Sequence, residues 1–134
     1  MLLNKLSDCN KRYFLNLAIC LADADGVFSD IEKSLIDSQC KEMNIDNNEY
    51  KADMTLDAIC DIIKDSMSNM EKKVTFIELT SLALVDEVLD EGELAFIERV
   101  RALLDIPQEV AQQAMDITTQ IISYTKKLDH YLEW

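Results

Sequence analysis

The sequence predicts an all-α protein, a compact single-domain bundle of six to seven helices over residues 1–134. The chain contains only two glycines and one proline, whereas an all-β sandwich or barrel of this length needs many more turn residues. Hydrophobic residues make up 49% of the chain, enough for a core without stabilising disulfides or metals. They recur at helical spacings of three and four along most of the sequence.

The first three predicted helices fill the first half of the chain. The first runs from about Ser7 to Ala24. The second begins after Ser29, because Ser29-Asp30-Ile31-Glu32 has the pattern of a capping box, and it stops at Asn44. The third helix carries its apolar residues on one face: Leu56, Ile59, Cys60, Ile63 and Met67.

The fourth helix begins at a second capping box, formed by Ser68 and Glu71. It is apolar over a wide arc, which indicates a central and largely buried helix. We therefore expect Leu82, Leu84 and Val85 to be among the best-buried residues. A fifth helix follows, with Asp90 as its N-cap and Glu93 at its third position.

Pro107 is predicted in the first turn of a last helix that runs to about Tyr131. That helix places apolar residues at alternating gaps of four and three, as in a heptad seam: Val110, Ala114, Ile117, Ile121, Tyr124, Leu128 and Tyr131. The seam either packs across the body of its own domain or forms a homodimer interface. The corresponding states are a monomer and a weak homodimer.

The two halves of the chain align without gaps at an offset of 61 residues. Identical pairs include Leu21/Leu82, Ala22/Ala83, Asp25/Asp86, Val27/Val88 and Glu32/Glu93. The repeated unit is a buried helix, an acidic turn and a capped helix. Nine of the 26 carboxylates lie in the two turn regions, residues 23–32 and 86–93.

The segment Ala22 to Glu32, its degenerate copy Asp86 to Glu93 and the all-helical frame resemble the tellurite-resistance protein B (TerB-like) family. The second copy departs from the pattern, since Glu87 replaces the turn glycine Gly26. The resemblance implies a cytoplasmic helical domain linked to tellurite or general stress resistance and a divalent-metal site, proposed to bind calcium. It also implies work through protein partners, including a membrane protein, and no enzymatic reaction.

The acidic turns also suggest metal binding from their residues alone. Asp23, Asp25, Gly26 and Glu32 match positions three, five, six and twelve of an EF-hand loop, but the first position would be Leu21, which cannot ligate. A true EF-hand is therefore excluded. Calcium binds roughly six to eight oxygens, which two adjacent turns and water can supply. The candidate metal ligands are Asp23, Asp25, Glu32, Asp86 and Glu93.

A purely structural interpretation of the same residues is equally complete. Ser29 with Glu32, and Asp90 with Glu93, are sufficient as helix caps. Carboxylates in a first helical turn also interact favourably with the helix dipole. The second hypothesis is therefore an interaction or scaffolding domain that binds no metal. The two are compatible, since one glutamate can cap a helix in the apo state and ligate when metal arrives.

The excess of acidic over basic residues limits the classes of molecule that the protein is expected to bind. The chain has 26 acidic and 13 basic residues, a formal net charge of −13. A nucleic-acid backbone or an anionic membrane surface needs a basic face, so neither is an expected partner. No stretch approaches ~18 uninterrupted apolar residues, so direct membrane insertion is not expected. Cations and basic protein surfaces remain.

The cysteines and the single histidine offer little chemistry. The start of the chain lacks the features of a signal peptide, which predicts reduced thiols in the cytoplasm. Cys9, Cys20, Cys40 and Cys60 lie on or beside apolar stripes without C-x-x-C spacing, so we expect buried structural thiols. His130 has no nucleophile nearby in sequence. An enzyme that uses an acidic cleft is the third and least favoured hypothesis.

Overall fold

A computed structural model describes residues 2–24, 29–46, 52–85 and 91–133, and within these ranges the regular structure is entirely helical. A short 3-10 turn, Leu3–Lys5, precedes six α-helices. Their bounds are α1 Asp8–Ala22, α2 Asp30–Met43, α3 Leu56–Ser66, α4 Asn69–Leu84, α5 Glu91–Leu103 and α6 Gln108–Leu132. The all-α prediction of six to seven helices is thereby confirmed. No described helix is long and apolar enough to cross a membrane.

The helices form two equivalent units, α1–α3 and α4–α6. α1 and α4 both begin after a serine N-cap, Ser7 and Ser68, at the 61-residue offset. α2 and α5 begin at Asp30 and Glu91, again at that offset. The contacts between helices also repeat in the two units. α1 contacts α2 as α4 contacts α5, and α1 contacts α3 as α4 contacts α6. α1 and α4 contact each other at the centre.

The ends of α2 and α5 repeat in detail. Asn44 and Asp105 both adopt left-handed backbone conformations, with φ of 58° and 55°. The next amide in each unit, that of Ile45 or Ile106, donates to a carbonyl five residues earlier, at 2.9 and 3.0 Å. This is the Schellman ending, which satisfies carbonyls that a helix end would leave unpaired. The predicted stop at Asn44 is confirmed.

One equivalent pair meets directly. The side-chain amide of Asn10 donates to a carboxylate oxygen of Glu71 over 2.8 Å, and 10 and 71 differ by the repeat offset. Asn10 lies in α1 of the first unit, and Glu71 lies in α4 of the second. The Asn10–Glu71 hydrogen bond therefore marks where the two units meet.

The core is one contiguous cluster of buried apolar residues from all six helices and the N-terminal turn. α4 is central, since it contacts α1, α2, α5, α6 and the 3-10 turn. Leu82 is buried, as predicted. The expectation for Leu84 and Val85 was wrong: both are only half-buried, because they lie at the end of α4 beyond its closest packing.

The predicted seam of α6 packs on its own domain only at its first two positions, Val110 and Ala114. Pro107 is the N-cap rather than a first-turn residue, with ψ of 145°. Ala111, Ala114 and Thr118 are buried, and α6 contacts α4. From Ser123 to Glu133 every described residue is exposed. We call the exposed part of the seam the distal stripe: Ile117, Ile121, Tyr124, Leu128 and Tyr131.

Candidate functional site at the acidic turns

The first acidic turn follows the end of α1. Asp23 is the C-cap, and its backbone amide donates to the carbonyl of Ile19 over 3.1 Å. Its side chain is exposed to solvent. Asp25 and Gly26, which complete the predicted turn, lie outside the described residues.

α2 begins with the predicted capping box. The Ser29 hydroxyl accepts from the Glu32 amide over 3.1 Å, and a Glu32 carboxylate oxygen accepts from the Ser29 amide over 3.1 Å. This reciprocal pairing satisfies two of the four amides that a helix start leaves without intrahelical partners. The Glu32 side chain is nearly inaccessible, since only 2% of the residue is exposed. A carboxylate is rarely buried to this degree without compensating interactions.

The second unit repeats the buried carboxylate. Glu93 occupies the position equivalent to Glu32, and only 6% of it is exposed. Glu91, in the same first turn, is exposed. Asp86 and the predicted N-cap Asp90 lie outside the described residues.

The described ligand candidates therefore separate into two kinds. Glu32 and Glu93 are buried at equivalent helix starts, whereas Asp23 is exposed at a helix end. Within the described part of the chain, no three His, Cys, Asp or Glu residues gather closely enough to hold a metal. Two of the candidate ligands, Asp25 and Asp86, lie outside the described residues.

Three carboxylates make contacts that the sequence did not indicate, although Glu71 was predicted as the capping-box partner of Ser68. Glu78, Glu42 and Glu71 accept hydrogen bonds from the backbone amides of Leu2, Leu3 and Ser7, at 3.0, 3.2 and 3.1 Å. They fasten the N-terminal segment to α2 and α4. The partners are 76, 39 and 64 residues apart, so no local motif exists that could have indicated them.

Glu71 accepts hydrogen bonds from Ser7, Asn10 and Ser68. Partial burial opposes its ionisation, but hydrogen bonds from Asn10, Ser7 and Ser68 outweigh that effect. The net result is a Glu71 pKa below its ordinary value of 4.5. Glu71 is therefore a structural anion that closes a capping box and joins the two units.

The expectation that the cysteines are buried holds for only two of the four. Cys40 and Cys60 are buried, as predicted, whereas Cys20 is half-buried and Cys9 is exposed. Burial, reinforced by nearby carboxylates, raises the pKa of Cys40 to about 11 and that of Cys60 to about 12. Thiols with such pKa values stay protonated near neutral pH, which makes them poor nucleophiles and poor metal ligands.

One surface cleft lies where α4 meets α6, with a volume of about 330 Å³. Its lining includes both apolar side chains and the charged residues Lys72, Lys73 and Asp105. Asp105 is engaged by Lys64, whose ammonium nitrogen lies 2.9 Å from the carboxylate. No hydroxyl, thiol or imidazole group is found among the residues lining this cleft.

Comparison with known proteins adds no relative. No protein-family model matches the chain, and no match was found among curated proteins or solved structures.

Proposed function

We propose that the protein is a non-catalytic, acidic helical stress-response module of the TerB-like kind, which binds a divalent cation at its acidic turns and acts through protein partners. The observation that carries the proposal is the pair of buried carboxylates, Glu32 and Glu93, at equivalent helix starts. Each adjoins an aspartate-containing turn in the sequence, Asp25 or Asp86.

Carboxylate oxygens suit calcium, a hard cation, better than they suit softer metals. Glu32 already uses one oxygen to accept from the Ser29 amide, so it would ligate while its helix start is capped. Asp23 lies at the C-terminal end of α1, where the helix dipole favours a cation. Together with Asp25, Asp86 and Glu93 these residues would form the ligand set of a cation shared between the turns.

The proposal includes a cytoplasmic location, in keeping with four cysteines in the free thiol state. It also includes a protein partner with a basic docking surface, because the net charge of −13 favours such a surface electrostatically. The membrane protein implied by the TerB-like resemblance is a partner of this module, reached without insertion of this chain.

Calcium titration tests the proposal directly. We expect micromolar to millimolar affinity and a higher melting temperature, with stabilisation of about 2.7 kcal/mol at a hundredfold excess over Kd. Asp25→Asn should remove most of that gain and leave the apo protein about as stable. Asp61→Asn, which neutralises an exposed carboxylate on α3, is the matched control and should retain the full response.

The alternative function is an interaction domain without metal, favoured by the complete capping box of Ser29 and Glu32. It predicts no calcium response, together with a loss of about 1 kcal/mol of apo stability in Ser29→Ala. The absence of any thermal shift at about 10 mM calcium, magnesium or manganese would reject the metal site, since even weak calcium modules bind in the millimolar range. The acidic surface would then be assigned to partner binding.

A further inference from the structure

We propose that the distal stripe of α6 binds the distal stripe of a second copy, so that the protein forms a weak antiparallel homodimer. The inference is independent of the acidic turns, because it concerns the exposed part of α6. Tyr124 and Tyr131 are 71% and 77% exposed, and Leu128 is 57% exposed. Neighbouring Leu132 is exposed to 69%.

The repeat identifies this stripe as a packing face. At the 61-residue offset, Leu56, Cys60, Ile63 and Met67 of α3 correspond to Ile117, Ile121, Tyr124 and Leu128 of α6. The α3 residues lie against the body, where α3 contacts α1 and α5; Cys60 and Ile63 are almost fully buried. The same face is therefore covered in the first unit and exposed in the second.

The physical reason is the length of α6. The described residues 52–55 are not helical, and α3 begins only at Leu56. The chain can therefore change direction before α3, which lets α3 pack across the body. α6 begins at Gln108, nine residues before the position equivalent to Leu56, and continues for 25 residues. A continuous helix rises about 1.5 Å per residue, so the residues equivalent to α3 are carried past the surface of α4.

The distal stripe exposes enough apolar surface area for a small interface. An aromatic side chain buries roughly 150–250 Å² and an aliphatic one roughly half as much, so the exposed fractions sum to about 500 Å² per copy. Two copies would bury on the order of 1,000 Å², near the lower limit for a specific interface. Interfaces near this limit belong to weak, transient association, and we expect a dissociation constant of about 1–100 µM.

Charge favours a second copy in the antiparallel orientation. Residues 117–133 carry two lysines and two carboxylates, so the whole net charge of −13 belongs to the rest of the chain. Parallel pairing would place two strongly acidic bodies side by side, whereas antiparallel pairing places them at opposite ends. The neutral stripe offers no electrostatic attraction to a strongly charged partner.

An antiparallel register centred on Tyr124 pairs the residues of the stripe with one another. With Tyr124 facing its counterpart, Ile121 lies opposite Leu128, and Ile117 lies opposite Tyr131. Aromatic rings at the centre can pack edge to face. The ammonium group of Lys127 lies 5.4 Å from the ring centroid of its own Tyr124, a cation–π contact that leaves the other face of the ring available.

Sedimentation velocity from about 1 to 200 µM tests the proposal, because this range spans the expected dissociation constant. Wild type should shift from monomer to dimer. The double variant Ile121→Asp, Tyr124→Asp should stay monomeric with unchanged helical circular dichroism. The matched control Thr119→Asp, Ser123→Asp adds the same charge to exposed positions outside the stripe and should still dimerise.

Orientation is tested by disulfide trapping in a Cys9→Ser background, since Cys9 is exposed. A mixture of Ile121→Cys and Leu128→Cys chains should cross-link to each other, whereas Leu128→Cys alone should not. A wild-type monomer at the highest concentration, a dimer that survives the stripe substitutions, or equal loss in the control would overturn the proposal. A monomer that floats with phosphatidylcholine vesicles would assign the stripe to a lipid surface instead.

Discussion

Replacing Leu82 with alanine should be among the most destabilising single changes in the core. Leu82 is 1% exposed on the central helix α4, and its equivalent Leu21 is 0% exposed on α1. A buried Leu→Ala substitution loses the transfer free energy of the removed atoms and leaves a cavity, which together cost about 2–5 kcal/mol. A chain of this size is stable by about 5–15 kcal/mol, so most such variants remain folded.

Urea unfolding followed by circular dichroism measures the loss. With a slope of about 1–3 kcal/mol per molar urea, the midpoint of Leu82→Ala should fall by roughly 1–3 M. Leu21→Ala should behave alike, because it occupies the equivalent site. Leu84→Ala is the control: its side chain is half-buried, so it should lose clearly less. A loss below ~1 kcal/mol for Leu82→Ala would refute the placement of α4 at the centre.

The remaining predictions concern ionisation. Because the pKa of Glu71 lies below 4.5 when folded, its charged form stabilises the protein above that pH, and this stabilisation is lost as pH falls through the folded value. The stability difference between wild type and Glu71→Gln should thus be largest near neutral pH and shrink in acid; a difference independent of pH would contradict the assignment. In native protein near pH 8, a thiol reagent should label Cys9 first and leave Cys40 protected, since burial and a pKa of about 11 keep about one Cys40 thiol in a thousand ionised. Equal labelling rates, measured by mass spectrometry of the peptides, would show that Cys40 is accessible.

Local features of this fold were predictable because their causes are local. The capping boxes at Ser29 and Ser68 depend on side chains three residues apart, and both are present. The stop at Asn44 depends on a residue type that tolerates a left-handed conformation. The offset of 61 residues also required only the sequence, and the starts of α1 and α4, and of α2 and α5, follow it.

Features that depend on the partner of a surface were not predictable. The heptad spacing of α6 indicates a stripe but not what covers it, and only Val110 and Ala114 of that stripe pack on the body. The wide apolar arc of α4 indicated a central helix but not which of its residues pack most closely, so the burial of Leu84 and Val85 was overestimated. The candidate metal site remains a prediction at Asp25 and Asp86, which lie outside the described residues. Glu71, Glu78 and Glu42 bind amides far away in sequence, so their roles required coordinates.

The hydrogen bond between Asn10 and Glu71 has a consequence for how the two units can differ. In a dimer of identical chains, a residue beside the two-fold axis meets a copy of itself, and two glutamates there would repel each other. Joining both units in one chain removes that restriction, so one position can carry the donor and its equivalent the acceptor. Exchanging them, as Asn10→Glu with Glu71→Asn, would restore the pair but move the carboxylate away from the cap of α4. The single chain thus fixes which unit carries the donor.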